Sequence, residues 1–482
     1  MSAEIAQQKS DETADGDRWV VVDLRALLRT NLGLELRLAD LAKGPVEVIS
    51  TRLGTGADPI QQTATDFGGT LPIDEEAMAF VRALKDQGNR LALISEVPMR
   101  VLEEFDARSS LFDRLIGAPD GAEWQAHDKH KATLAAFDAL PVFVGASDRD
   151  VPMWQAASGA VTINARPKLA ADVDAMSKDA HHITTTAKTK SQFAAMVRAV
   201  RPHQWLKNIL VFLPILAAHE TDPIIWATAA VAYAAFCLTA SSVYILNDLL
   251  DLEADRAHPR KRKRPFASGA LSLEAGLLLA PGLLLAGIVL ALIFVRPLFL
   301  VVLLGYYLTT VAYSFVLKRE VIVDIITLGG LYTVRILAGG VATMTELSPW
   351  MLAFSGFFFF SLAAVKRQAE LVDLVNMGKE TASGRAYRAS DLAIVTPMAI
   401  AAGFTAVLIL ASYISSTDVG ALYARIKVLW LVSPVLLFWI SRVIMLTHRG
   451  QMTDDPIVFA ARDIVSWACL ILTLAIAIFA RS

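Results

Sequence analysis

The chain has 482 residues, 55% hydrophobic and only 19% charged, with a mean hydropathy of +0.47. A typical soluble domain is about 45–50% apolar and about 25% charged, so this is not one. The net charge of −2 provides no global basic field for nucleic acid, and the two cysteines, Cys237 and Cys469, allow neither a disulfide framework nor a paired-cysteine metal site.

Residues 1–17 are polar and acidic and read as a solvated tail. No apolar run follows a basic start, so no cleavable signal peptide is expected. Trp19–Leu24 is a short apolar run of the buried-strand type, as are Leu91–Ser95, Pro141–Val144 and Ala160–Asn164. Asp74–Asp86 carries the period of an amphipathic helix. Strands alternating with helices predict a Rossmann-like α/β domain with a parallel sheet over 18–166. Residues 167–195 are polar and read as a linker.

From 196 to 482 the pattern changes to an all-α polytopic membrane domain with about nine spans. They fall near 204–219, 223–246, 274–294, 297–316, 321–344, 350–365, 392–415, 427–446 and 463–480. Alternate loops carry Arg256, Arg260–Arg264, Lys318, Arg319, Lys366, Arg367, Lys379, Arg385, Arg388 and Arg449; the opposite loops hold only Arg296, Arg425 and Lys427. By the positive-inside rule the basic face is cytoplasmic, which predicts an inner-membrane protein with a cytosolic N-terminal domain.

The loop after the second span reads Asn247-Asp248-Leu249-Leu250-Asp251-Leu252-Glu253-Ala254-Asp255. On a helix, Asn247, Asp248, Asp251 and Asp255 share one face at the cytosolic rim. Such a cluster of hard oxygens suits Mg²⁺. It would also suit a solvated acidic helix end. The adjoining Arg256–Pro265 run adds five consecutive bases, Arg260–Arg264, which with a divalent cation can hold a departing diphosphate. Asp324 and Arg335 lie about three turns apart in the fifth span and share a face, with Lys318 and Arg319 before them. Arg201–Asn208, which includes Lys207, precedes the first span as an interfacial stretch.

These strings resemble the UbiA superfamily of intramembrane prenyltransferases over about residues 198–482. The matching signature is Asn247, Asp248, Asp251 and Asp255, followed by His258–Gly269. Arg201–Asn208, Glu253–Arg262 and Tyr313–Gly340 are similar to the branch of decaprenyl-phosphate phosphoribosyltransferase-like members. The solitary Asp324 also favours that branch over the aromatic prenyltransferases, which usually carry a second aspartate pair. The resemblance implies Mg²⁺ on Asp248, Asp251 and Asp255, with Asp324 in the catalytic set. Asn247, Lys207, Arg264, Lys318 and Arg335 would grip phosphate groups. The implied partners are a polyprenyl phosphate or diphosphate lipid and a phosphorylated small molecule. An aromatic polyprenyltransferase of the 4-hydroxybenzoate type is the alternative chemistry, and a lipid-binding or transport protein the alternative class.

Residues 18–166 resemble the haloacid-dehalogenase-like hydrolases in degenerate form. Asp23 keeps the nucleophile position, but the acid/base aspartate is Arg25. Ser95 fits the phosphate-binding hydroxyl and Lys131, or Lys129, the lysine position. In the last motif Ala146 replaces a metal carboxylate while Asp150 remains. The resemblance therefore implies a domain that has lost phosphate-ester hydrolysis.

Overall fold

The computed structural model describes residues 18–43, 71–119, 124–137, 141–177, 179–185, 192–381, 386–416, 423–452 and 455–481. The predicted tail 1–17, Arg385 and the end of the predicted linker from 186 to 191 lie outside these. Two compact units emerge: Met1–Val200 with Tyr244–Leu279, and Arg201–Val243 with Ala280–Ser482.

The first unit is built on a six-stranded, all-parallel sheet. Its strands are β1 (Trp19–Asp23), β2 (Arg90–Pro98), β3 (Arg114–Ala118), β4 (Val142–Gly145), β5 (Gly159–Ile163) and β6 (Ala180–Ile183), in the order β3-β2-β1-β4-β5-β6. Parallel strands need crossovers, and helices α1 (Leu32–Lys43), α2 (Glu75–Asp86), α3 (Met99–Ser109), α4 (Ala126–Ala136), α5 (Val151–Ala156) and α6 (Pro167–Met176) lie between or beside them. The strands read as continuous apolar runs because both faces are covered: Val21 and Val22 are fully buried, as are Leu93, Ile94, Phe143 and Val144. The Asp74 side chain caps α2 by accepting from the N–H groups of Glu76 and Ala77. The expected linker is corrected here, since α6 and edge strand β6 fall within 167–195 and belong to the sheet domain. Polar Ala-His-His-Ile gives no apolar run, yet as an edge strand β6 needs only one paired side.

The order reverses between β1 and β4. At such a switch point the crevice beyond the carboxyl ends of the strands receives ligands and functional groups. Asp23 ends β1 and Gly145 ends β4, so the sequence-predicted N-terminal residues converge there.

The membrane part contains eight helices long and apolar enough to span a bilayer among the described residues. After α7 (Gln192–Val200) the chain enters a 3₁₀ run, Pro202–Phe212, and the short α8 (Leu213–Ala217). The first expected span is therefore not one continuous α-helix. The helices that follow are α9 (Pro223–Leu250), α10 (Leu252–Ala257), α11 (Leu273–Phe294), α12 (Pro297–Phe315), α13 (Val323–Thr343), α14 (Pro349–Asn376), α15 (Leu392–Ile414), α16 (Ile426–Leu429), α17 (Val432–His448), α18 (Pro456–Arg462) and α19 (Ile464–Arg481). Leu278, Leu285, Ile293, Val301, Leu408 and Ile478 stand exposed, the surface that lipid covers. The chain is a multi-pass membrane protein.

At 1.5 Å per residue, the 28 residues of α9 extend about 42 Å, well beyond a hydrocarbon core of about 30 Å. Its last turn, with Asn247 and Asp248, can therefore emerge at the rim. Helix α14 is equally long and carries Lys366 and Arg367 within it. The reading of those two as loop charges is corrected: Arg367 is buried inside the helix bundle. At Gly339 in α13 a β-carbon would lie 2.0 Å from the Val211 carbonyl oxygen, so only glycine admits the 3₁₀ run this close.

Candidate active site

Helix α9 stops at Leu250 and α10 begins at Leu252, with Asp251 at the break. This break prevents the four acidic-face residues from forming one straight helical row. The Asp251 carbonyl accepts from the Asp255 N–H at 2.8 Å, the first helical bond of the short α10. Asp248 and Asp255 are both buried, and one guanidinium joins them. Arg264 Nη1 donates to Asp248 Oδ1 at 3.2 Å and to Asp255 Oδ1 and Oδ2 at 2.8 and 2.5 Å. Burial pushes the Asp255 carboxyl above its ordinary range, and nearby Asp251 adds to that, against the pull of Arg264 and Lys261.

The structure thus brings together Asp248, Asp255 and Arg264 and leaves Asp251 half-buried at the helix break. Among the described residues no group of three or more histidine, cysteine or acidic side chains is arranged to hold a metal ion. Arg264 supplies the positive charge between Asp248 and Asp255, two of the three expected carboxylates. The donor chemistry nevertheless fits Mg²⁺, which takes one or two carboxylates and fills its remaining positions with water and phosphate oxygens. Asn247 Oδ1, next in the chain to Asp248, is buried and has no hydrogen-bond partner.

Further polar clusters lie in the second unit. Asp324, fully buried at the start of α13, pairs with Arg367 of α14 and accepts from the Tyr387 hydroxyl at 2.6 Å. Tyr387 O–H in turn accepts from the Ile322 N–H at 2.8 Å. Burial, reinforced by the Asp324 bond, holds the Tyr387 hydroxyl protonated well above its usual range. Arg335, predicted to share a face with Asp324, has other partners. Its Nε donates to Asn208 Oδ1 at 2.7 Å and its Nη2 to the Tyr306 hydroxyl at 2.9 Å, and the guanidinium lies over the Tyr306 and Tyr332 rings at 4.9 and 5.4 Å. Lys207 is paired with Asp455, the residue that caps α18. Burial raises the Asp455 carboxyl, but Lys207 and Lys366 outweigh it and leave the group below its ordinary range. Lys318 sits half-buried in the 3₁₀ turn Leu317–Arg319.

Arg367, Tyr387, Asp455, Asn208 and Tyr306 were not singled out from sequence. Arg367 read as a topology signal, and the others carry no local pattern because their partners are distant in the chain.

At the switch point of the sheet, Asp23 and Asp150 are fully buried with Lys129 between them. Lys129 Nζ donates to Asp23 Oδ2 at 2.5 Å and to Asp150 Oδ1 at 2.7 Å. Arg25 Nη2 donates to Asp23 Oδ2 and Glu96 Oε1, both at 3.1 Å, and to Asp150 Oδ1 at 3.3 Å. Asp150 Oδ2 accepts from the N–H groups of Ala146 and Ser147 at 3.1 Å each. Of the two candidate lysines, Lys129 occupies the site. Lys131 is exposed, because two residues along a helix is a rotation of about 200°. Despite its burial, Asp23 is held below the ordinary carboxylate range by Lys129 and Arg25, whereas burial and the Asp23 charge push Asp150 up. Ser95 is buried at the end of the crevice. A cavity of about 890 Å³ opens there, lined by Arg25, Ser95, Trp124, Ser147, Gly269 and Glu274 among others.

A buried acid–arginine cluster thus lies in the Asn247–Arg264 segment, which follows a helix long and apolar enough to span a bilayer. The chain belongs to the UbiA prenyltransferase family, which matches residues 208–469. Uncharacterized protein y4nM of Sinorhizobium fredii is 31% identical over 402 residues, covering 82% of this chain and 77% of that one, a match long enough to enter the N-terminal domain. Nodulation protein NoeC of Azorhizobium caulinodans is 37% identical over 282 residues, 58% of this chain and 92% of that one. Decaprenyl-phosphate phosphoribosyltransferase of Mycolicibacterium smegmatis is 39% identical over 205 residues, 42% of this chain and 64% of that one. A UbiA homolog from Archaeoglobus fulgidus, solved with DMAPP and Mg²⁺, aligns with a TM-score of 0.45 at 14% identity over 58% of this chain and 98% of that one.

Proposed function

We propose that this transferase moves phosphoribose from phosphoribosyl diphosphate to a polyprenyl phosphate. A phosphate oxygen of the lipid attacks the anomeric carbon, the bond from that carbon to the diphosphate oxygen breaks, and pyrophosphate leaves with the electron pair. The observation that carries the reading is the buried Asp248–Arg264–Asp255 cluster, adjoining a run of five consecutive bases. Likeness to the mycobacterial phosphoribosyltransferase supports the donor and acceptor.

Mg²⁺, held by Asp248 and Asp251 with Asn247 Oδ1 beside them, would neutralise charge on the diphosphate as it departs. Arg264 donates to the diphosphate, exchanging part of its bond with Asp255, while Lys207 and Lys318 serve the lipid phosphate. Arg335 and Asp324, each bonded to neighbouring helices, keep those helices in place. Positioning and charge neutralisation provide most of the acceleration. Asp324 shares the Arg367 guanidinium with Glu370, so that cluster is bound up in the helix packing of the membrane domain.

The N-terminal sheet domain lies in the cytosol at the inner membrane. The clustering of the N-terminal domain with Tyr244–Leu279, the segment that holds the bases Arg260–Arg264, supports this side. Residues 202–217 then cross the membrane: eleven 3₁₀ residues at about 2.0 Å and five α residues at about 1.5 Å reach about 30 Å. The domain no longer hydrolyses phosphate esters, because Arg25 stands in place of the acid/base aspartate and bonds both Asp23 and Asp150, while Ala146 replaces a metal carboxylate.

The test supplies purified full-length protein and Mg²⁺ with labelled phosphoribosyl diphosphate plus polyprenyl phosphate, and in parallel polyprenyl diphosphate plus 4-hydroxybenzoate. Label entering lipid in the first mixture alone is the expected result. Product in the second alone refutes the proposal in favour of the aromatic reading.

A further inference from the structure

The residue after Asp255 is Arg256, and it points into the sheet domain. Arg256 Nη1 donates to Glu35 Oε2 at 3.0 Å and Nη2 to Glu35 Oε1 at 2.5 Å, a forked pair. The Glu35 side chain is fully buried and that of Arg256 nearly so, at 5% exposure. Thr30 Oγ1 donates to the same carboxylate at 2.5 Å. Arg256 Nε donates to the Ala267 carbonyl at 3.0 Å, so this one side chain ties α10 to the turn that follows Arg264. Two further contacts accompany it. Asn31 Nδ2 donates to Glu274 Oε1 at 2.7 Å. Gly269, at φ +70°, leaves room for Arg29, whose β-carbon would lie 2.5 Å from a β-carbon at that position. All these groups belong to one compact unit.

A buried carboxylate reaching a single arginine is costly unless the pair is well made, and here every atom of the fork is used. The pair spans 221 positions of chain and ends one residue from the acid that holds Arg264. We infer that Glu35 is a positioning residue of the transferase: through Arg256 it fixes the spacing of Asp255 and Arg264, so the degenerate hydrolase-like domain acts as a clamp on the catalytic segment. This rests on the reading of Asp248, Asp255 and Arg264 as the transfer site. A displacement of about 1 Å in such a group can lower turnover about 10²-fold.

The experiment compares Glu35→Gln, Gly269→Ala and Asp248→Asn in the full chain, with rates normalised to folded protein. Glu35→Gln breaks the fork. Gly269→Ala pushes Arg29 away from the turn at Gly269, the neighbouring contact of the same clamp, without changing a charge. Both are expected to lower kcat about 10²-fold while the KM for polyprenyl phosphate stays within twofold of wild type. A purely structural role would lower the yield of folded protein and leave kcat per folded molecule intact, which overturns the inference, as do wild-type rates in both variants. Asp248→Asn separates the two levels of the argument. If it retains full activity the site reading itself fails. If it is inactive while Glu35→Gln and Gly269→Ala match wild type, only the clamp fails.

Discussion

Replacing Arg367 by methionine tests how the membrane domain handles its buried acid. Arg367 and Asp324 are 1% and 0% exposed as side chains, so solvent cannot stabilise the carboxylate once its partner is removed. The Tyr387 hydroxyl at 2.6 Å would be the principal remaining donor to it. Breaking a buried pair by removing one partner costs about 3–5 kcal/mol. Against a total stability of about 5–15 kcal/mol, that takes away about a fifth of the margin or more. It corresponds to a loss of about 10²–10³-fold or more in the folded-to-unfolded ratio. The combined change Asp324→Asn with Arg367→Met removes both buried charges and keeps an oxygen for Tyr387, while Glu370, the other acid on Arg367, is 29% exposed and can be solvated, so stability should return to within about 1 kcal/mol of wild type. Unfolding of detergent-solubilised protein under added denaturing surfactant measures both. Because Asp324 is placed here as a helix-ordering group, the double variant should also keep most of its turnover per folded molecule. A loss below about 1 kcal/mol for Arg367→Met, or a double variant that folds and is inactive, would refute the reasoning.

Three further outcomes follow from the same geometry. The wild-type chain should release no phosphate from a monoester such as p-nitrophenyl phosphate above the buffer rate with Mg²⁺ present, because Arg25 replaces the acid/base aspartate and Ala146 a metal carboxylate; clear turnover would show that centre to be competent. Gly339→Ala should destabilise the membrane domain by about 1–3 kcal/mol, since its new methyl meets the Val211 carbonyl; an unchanged midpoint in the same surfactant titration would contradict the close approach. For the sheet domain, Asp23 lies below its usual range, so its contribution is present above about pH 4, the unfolded carboxylate value, and is lost as pH falls through its folded value. Asp150, pushed upward, acts in the opposite sense, its contribution declining as pH rises through its folded value. Hydrogen exchange in β1 and β4 should therefore speed up below about pH 4 and again on the alkaline side of Asp150's titration.

What could be read from the amino-acid pattern was what repeats locally. Runs such as Val20–Val22 and Leu91–Ile94 announce strands covered on both faces, and α9 and α11 to α15 announce themselves by length and apolarity. Edge strand β6 and short β3 lack that signal, since one is polar and the other begins Arg-Leu-Ile-Gly. The acidic motif was visible because Asn247, Asp248, Asp251 and Asp255 repeat at helical spacing. The helix break at Asp251 and the insertion of Arg264 were not, because they depend on a loop folding back across the motif. Lys129 and Lys131 are equivalent in a linear motif. They became distinct once α4 had a face, with Lys129 and Thr133 turned inward at i and i+4.

The same physics bears on Arg264, and it decides how the site can bind a charged donor at all. With Asp248 and Asp255 both buried, an unoccupied pair of carboxylates would repel, and one guanidinium partly exposed at 28% keeps them together. That partial exposure leaves Arg264 able to turn toward an incoming diphosphate while Mg²⁺ balances the acids. Removing the guanidinium by Arg264→Ala should therefore raise the KM for phosphoribosyl diphosphate by about 10-fold or more, the worth of a charge-assisted bond of about 1.5–3 kcal/mol. Arg264→Lys keeps the charge and loses the fork, so its KM should fall between the two. The KM for polyprenyl phosphate should remain near wild type in both, because that acceptor is assigned to Lys207 and Lys318. Initial rates against each substrate in turn provide the measurement. If Arg264→Ala changed only the lipid KM, the guanidinium would belong to the acceptor, and the assignment of donor and acceptor sites would have to be reversed.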